Sequence, residues 1–114
     1  MREPILDVRF YATERGREPV REFLLDLTME DRRAVGTDLK TVQFGWPLGM
    51  PLVRKMGDGL WEVRSTIPDG IVRVLFTVRE QQMVLLHAFV KKSPKTPAPD
   101  MDTAQRRLRR IKGD

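Results

Sequence analysis

Three consecutive segments, Leu60–Ile67, Ile71–Val78 and Met83–Val90, constrain this chain more than anything else in it. Each has the length and β-branched content of a strand, and only Pro68-Asp69-Gly70 and Arg79-Glu80-Gln81-Gln82 separate them. Connections this short leave antiparallel pairing as the solution, because parallel neighbours need a crossover of a dozen residues or more. The stretch therefore predicts an antiparallel meander. Ile71–Val78 and Met83–Val90 are apolar at nearly every position except Arg73, Thr77 and His87, the pattern of central strands with both faces at least partly covered. Val53–Met56, followed by Gly57-Asp58-Gly59, predicts a shorter and weaker strand before them.

The flanking segments supply the cover. Leu6, Val8 and Phe10 alternate with Asp7 and Arg9, which predicts a half-buried strand that joins the sheet beside a later one. Pro19 opens a helical stretch with Val20, Phe23, Leu24 and Leu27 on one face. Thr28 and Asp31 resemble a capping box for a second helix carrying Val35, Leu39 and Val42, with Gly45 as its stop. Gly36 is a weak point inside that helix. The turn-rich Gly45–Pro51 joint marks the change of period, and its Trp46 and Met50 are open to either core or docking roles. At the far end Thr96 is a candidate N-cap with Pro97 at the first helical position, although Pro99 would allow a start near Asp100. Met101, Ala104, Leu108 and Ile111 then line one face of a last helix, with its arginines outward. The reading is one α+β domain over residues 1–114: an N-terminal strand and helical hairpin packed on a mainly antiparallel sheet of four to five strands, with a C-terminal helix.

Charge narrows the partners. The 21 basic and 16 acidic residues leave a formal net charge of +5. That excess lies wholly after residue 86, where Lys91, Lys92, Lys95, Arg106, Arg107, Arg109, Arg110 and Lys112 face only Asp100, Asp102 and Asp114. A concentrated basic segment suits a polyanion such as nucleic acid, or an acidic protein, and equally a solvated helix face. With no cysteine, disulfide scaffolds and thiolate metal sites are excluded, which fits a reducing compartment. No apolar run approaches a membrane span, and the N-terminus lacks the apolar region of a signal peptide. A cytoplasmic protein with no membrane role is expected.

Strand parity selects the candidate site. Arg64, Arg73, His87 and Lys91 share one parity across the three strands, so adjacent pairing could gather them on one surface. An arginine inside an apolar strand is costly unless it is paired or reaches solvent. Arg73 is thus either in an ion pair, for example with Glu62, or part of an anion-binding face; the excess of cations favours the second. No phosphate-binding glycine loop, metal-ligand cluster or nucleophilic triad accompanies them. His87 alone is more often a packing residue than a catalyst.

The runs Leu60-Trp61-Glu62-Val63-Arg64, Gly70-Ile71-Val72-Arg73-Val74-Leu75-Phe76 and Leu85-Leu86-His87-Ala88-Phe89-Val90-Lys91-Lys92-Ser93-Pro94-Lys95-Thr96-Pro97 together resemble the RelE/ParE superfamily. More narrowly, they resemble the phage-derived, HigB-like branch of toxins from type II toxin–antitoxin modules. Ala88 and Pro94 stand where that branch commonly has Gly and Gln, and no C-terminal tyrosine or histidine fills the role it has in other branches. The resemblance implies a curved sheet and an endoribonuclease that cuts mRNA in the ribosomal A site without a metal or cofactor. The catalytic set it implies is Arg64, Arg73, His87, Lys91 and Lys92: Arg73 on the scissile phosphate, Arg64 on transition-state charge or RNA position, Lys91 or Lys92 as phosphate clamp, and His87 as general acid or base if it reaches the open face. Lys91 or Lys92 could equally serve as the base, since neighbouring cations disfavour a lysine's charged form. Lys95, Arg106, Arg107 and Arg110 would hold ribosomal RNA. Implied partners are ribosome, mRNA and a cognate antitoxin, commonly a helix-turn-helix protein. ParE-like relatives, which bind DNA gyrase, and a nucleic-acid-binding module without catalysis are the rival readings, since fold alone does not fix activity.

Overall fold

The computed structural model describes residues 2–91 and 95–113. The elements run β1 (Asp7–Phe10), α1 (Pro19–Asp26), α2 (Met29–Gly45), β2 (Val53–Gly57), β3 (Leu60–Ile67), β4 (Gly70–Arg79), β5 (Gln82–Lys91) and α3 (Ala98–Lys112). The meander forms as expected, in a five-stranded sheet of order β1-β5-β4-β3-β2. β1 lies at the edge and pairs parallel with β5, Asp7 opposite Gln82 through Phe10 opposite Leu85, so the sheet is mixed. The β4–β5 hairpin turns on Glu80 and Gln81, both at positive φ (50° and 65°), the geometry of a two-residue type I′ turn.

Each helix forms because its apolar stripe has a sheet face to cover. In α1 Val20 is buried while Phe23 and Leu24 pack beside it; α2 contributes Val35, Leu39 and Val42. Thr28 caps α2 as the sequence predicts, its Oγ1 accepting the Asp31 amide at 3.1 Å. These two helices close one face over Val63, Val72, Val74, Phe76, Met83 and Leu85. Trp46 belongs to this core, edge-on to Trp61 and Phe76 at 5.0 and 5.6 Å between ring centroids, whereas Met50 is exposed. On the opposite face α3 lays Ala104, Leu108, Met101 and Ile111 over Leu60, Leu75, Val84 and Leu86.

Two local expectations are corrected. Thr96 does not cap α3: Pro97 holds the cap position without a side-chain bond, and the Thr96 hydroxyl turns inward to a buried carboxylate. The helix starts at Ala98, so Pro99 sits within its first turn, where a missing N–H leaves no intrahelical bond unmade. The partial cover expected of β5 is what the structure shows. β1 pairs with only its first four residues, and beyond Leu86 the strand is half-exposed, with Val90 at 39% of full exposure.

Gly36 sits on the exposed side of α2, and a Cβ built there meets nothing within 4 Å. Gly36→Ala should therefore stabilise the protein by up to about 1 kcal/mol, through higher helix propensity and a less flexible unfolded chain; urea unfolding of the two proteins checks this.

Candidate functional site

The strand register does what parity predicts for the backbone. Arg64 lies directly opposite Arg73, and Arg73 opposite Phe89. Leu75 pairs with His87 and Ile71 with Lys91. Arg64, Arg73, His87, Phe89 and Lys91 therefore share the sheet face that also receives α3. Side chains then divide sharply within that face.

Arg73 is the correction with the largest consequence. It is fully buried, as is Glu62, and its Nη1 donates to Glu62 Oε1 at 3.0 Å. The other carboxylate oxygen, Oε2, accepts the Thr96 hydroxyl at 2.6 Å. Two charges taken out of water need this degree of satisfaction to be tolerated at all. Arg73 thus holds strands and the lead-in to α3 together; it does not stand on an anion-binding surface, and the expectation that it meets the scissile phosphate is withdrawn.

Three of the other cations remain accessible. Arg64 is half-buried, with its Nε sequestered and unbonded, and lines an open depression of about 460 Å³ with Asp38, Leu52, Thr66 and Ile71. Asp38 is engaged elsewhere, accepting from the Ser65 hydroxyl. Lys91 is half-buried on the same sheet face, and Lys95 is exposed. Lys92 lies outside the described residues.

His87 is reached from the open half of β5. A groove of about 710 Å³ runs between α1 and α3, lined among others by Glu22, Phe23, Leu25, Asp26, His87, Ala88 and Arg107. His87 is 20% exposed there, and its ring stacks on Phe89 with centroids 5.7 Å apart. Its Nε2 lies 2.6 Å from Asp100 Oδ1, in the first turn of α3. Arg107 Nη1 donates to the Leu86 carbonyl at 2.7 Å and stands 3.5 Å from His87 Nδ1. Burial lowers the Arg107 pKa from its ordinary value, with the nearby Tyr11 hydroxyl acting in the opposite sense; the guanidinium is charged at any pH of interest.

The four residues expected to bind RNA do not form one set. Arg106 is exposed and Lys95 is exposed at the far end of the segment. Arg107 is folded against β5 and over the Tyr11 ring at 5.4 Å. Arg110 donates to the Tyr11 hydroxyl at 2.8 Å and approaches Glu14 at 3.7 Å. Asp100 was not singled out by sequence reasoning; its only local signal is that of an acid favourable at a helix N-terminus. Among the described residues no group of three or more His, Cys, Asp or Glu could hold a metal ion, and no helix is long and apolar enough to cross a membrane.

Mixed sheet, helices on both faces and a half-open strand bearing histidine and lysine define a small α+β protein with a polar site at one sheet end. The chain belongs to the family described as Phage derived protein Gp49-like (DUF891), whose model matches residues 22–109, from α1 to near the end of α3. This phage-derived family is commonly associated with toxin–antitoxin modules. No curated protein matches the chain.

Glu62→Gln should destabilise the fold by about 3–5 kcal/mol, because it strands the buried Arg73 charge. Arg64→Ala, at a partly exposed position with no ion pair among the described residues, should change stability by roughly 0.5 kcal/mol or less. Equilibrium denaturation of both variants separates the structural arginine from the accessible one.

Proposed function

We propose that this chain is the toxin of a type II toxin–antitoxin module and acts as a ribosome-dependent endoribonuclease on mRNA, needing no metal or cofactor. Family membership supports the toxin reading. The observation that carries the nuclease reading is the shared face of β5: His87, Phe89 and Lys91 alternate along its half-open end, with Arg64 two strands away on that face. Four strand residues place His87 and Lys91 about 13 Å apart, so they serve successive parts of an RNA strand instead of one atom.

In this reading Arg64 and Lys91 meet backbone phosphates and hold the strand, with Lys95 and Arg106 extending the contact to ribosomal RNA. Phe89 offers an apolar face beside them. The RNA's own 2′-hydroxyl is the nucleophile. Its proton passes to His87, O2′ bonds to the adjacent phosphorus, the P–O5′ bond breaks, and O5′ takes a proton from solvent. The products are a 2′,3′-cyclic phosphate and a 5′-hydroxyl end. Arg107 beside His87 meets the charge that builds on the phosphorane oxygens, the role preorganised donors play best in a partly desolvated groove. A cognate antitoxin would silence the protein by covering this end of the sheet.

The test is a purified translation system in which mRNA 5′ ends are mapped. The parent should create new 5′-hydroxyl ends only on translated message. His87→Ala should slow cleavage about 100-fold or more. Arg64→Ala and Lys91→Ala should each weaken it on the order of 10-fold and flatten its salt dependence. Absence of new ends with folded parent protein, or inhibition of DNA gyrase supercoiling in their place, overturns the nuclease reading.

A further inference from the structure

The groove between α1 and α3 holds more than one histidine's worth of chemistry. His87 has two ring nitrogens in different company. Nε2 faces a carboxylate, Asp100 Oδ1 at 2.6 Å, which can only accept. Nδ1 faces Arg107 Nη1 at 3.5 Å, which can only donate. A neutral imidazole satisfies both neighbours in one way: Nε2 carries the proton and gives it to Asp100, while Nδ1 keeps its lone pair.

We propose that Asp100 is a positioning residue for His87, holding the ring so that Nδ1 is the atom that takes the 2′-hydroxyl proton. The inference rests on the cleavage reading above and goes further by naming the atom and its holder. When Nδ1 accepts the proton, its long 3.5 Å contact from Arg107 is given up to the RNA phosphate, and the imidazolium charge is offset by the Asp100 carboxylate held at Nε2. The carboxylate stays ionised throughout; it orients and stabilises, as the acid of a histidine–carboxylate pair does on unrelated folds. Arg107 adds a second constraint. Its bond to the Leu86 carbonyl fixes the guanidinium beside Nδ1, where a phosphate drawn to that cation would bring its neighbouring 2′-hydroxyl to the lone pair.

The surroundings allow this role. The stack on Phe89 limits ring rotation, and the groove gives RNA a path to the ring from outside. The other charged groups lining that groove are Glu22 and Asp26 of α1. Glu22 is committed to Arg17, which lowers its pKa chiefly through their hydrogen bond. Lys91, two positions beyond Phe89 on β5, is the nearest lysine along the same face. Asp100 is 25% exposed, so its effect is smaller than that of a fully buried acid.

The chain contains a single histidine, which makes the ring directly observable by nitrogen-15 NMR. In the neutral parent the proton should reside on Nε2 and show slowed exchange with water, and Nδ1 should be unprotonated. Asp100→Ala should abolish the slowed exchange. In the translation assay the same variant should lower kcat about 10- to 100-fold with KM changed less than about twofold, and Asp100→Glu should recover part of the loss. A merely structural acid at the start of α3 would not split kcat from KM in this way.

A protonated Nδ1 in the neutral parent overturns the assignment. So does an active parent whose kcat is untouched by Asp100→Ala, which would leave the nuclease reading standing. A parent that shows the Nε2–H bond yet cuts no message refutes the cleavage reading and, with it, any catalytic role for the pair.

Discussion

The buried ion pair between Glu62 and Arg73 is the constraint on which the rest of this structure depends. Glu62 sits on β3, Arg73 on β4, and the second carboxylate oxygen reaches Thr96 just before α3. Apolar contacts tolerate sliding; a carboxylate with both oxygens engaged does not. The pair therefore fixes where α3 begins over the sheet, and α3 in turn carries Asp100 and Arg107 to β5. A buried pair adds little net stability compared with an apolar replacement, so its contribution here is register and position.

The second organising fact is asymmetry along β5. Its first half is sealed by β1 on its edge and by core on both faces; its second half has lost the edge partner and emerges between α1 and α3. Chemistry-bearing residues fall in that second half. His87 at the start of the emergence keeps partners on α3, while Lys91 at its end is half-buried on the face it shares with Arg64. A sheet that opens only at one end holds these side chains in place and leaves that end accessible.

The basic C-terminal helix is less available than its composition implies. Arg107 and Arg110 bracket the Tyr11 ring, which anchors the end of the helix to the start of the chain. Arg79 donates to the Ile111 carbonyl at 2.6 Å, a cation at the negative end of the helix dipole. Gly113, at φ 81°, closes the helix in the left-handed conformation that a side chain would resist. These arginines spend part of their charge on holding α3 down. Arg106 and Arg109, by contrast, are exposed along the helix.

Local pattern by itself determined the elements: the alternation of Leu6, Val8 and Phe10, the stripes of α1 and α2, the Thr28 cap and the short turns of the meander all act within a few residues of chain. It also determined which side chains share a sheet face, because parity depends only on strand pairing. Only the tertiary structure decided what each of those side chains does there. Arg64 and Arg73 face the same way from opposed positions, yet one reaches solvent and the other is sealed against Glu62, whose second carboxylate oxygen takes the Thr96 hydroxyl. Thr96 was legible as a cap and became a ligand of a buried acid; Asp100 was legible as a favourable helix-start charge and became the partner of His87. Such outcomes turn on desolvation and on contacts between residues far apart in sequence, and neither is encoded in the pattern of any one segment.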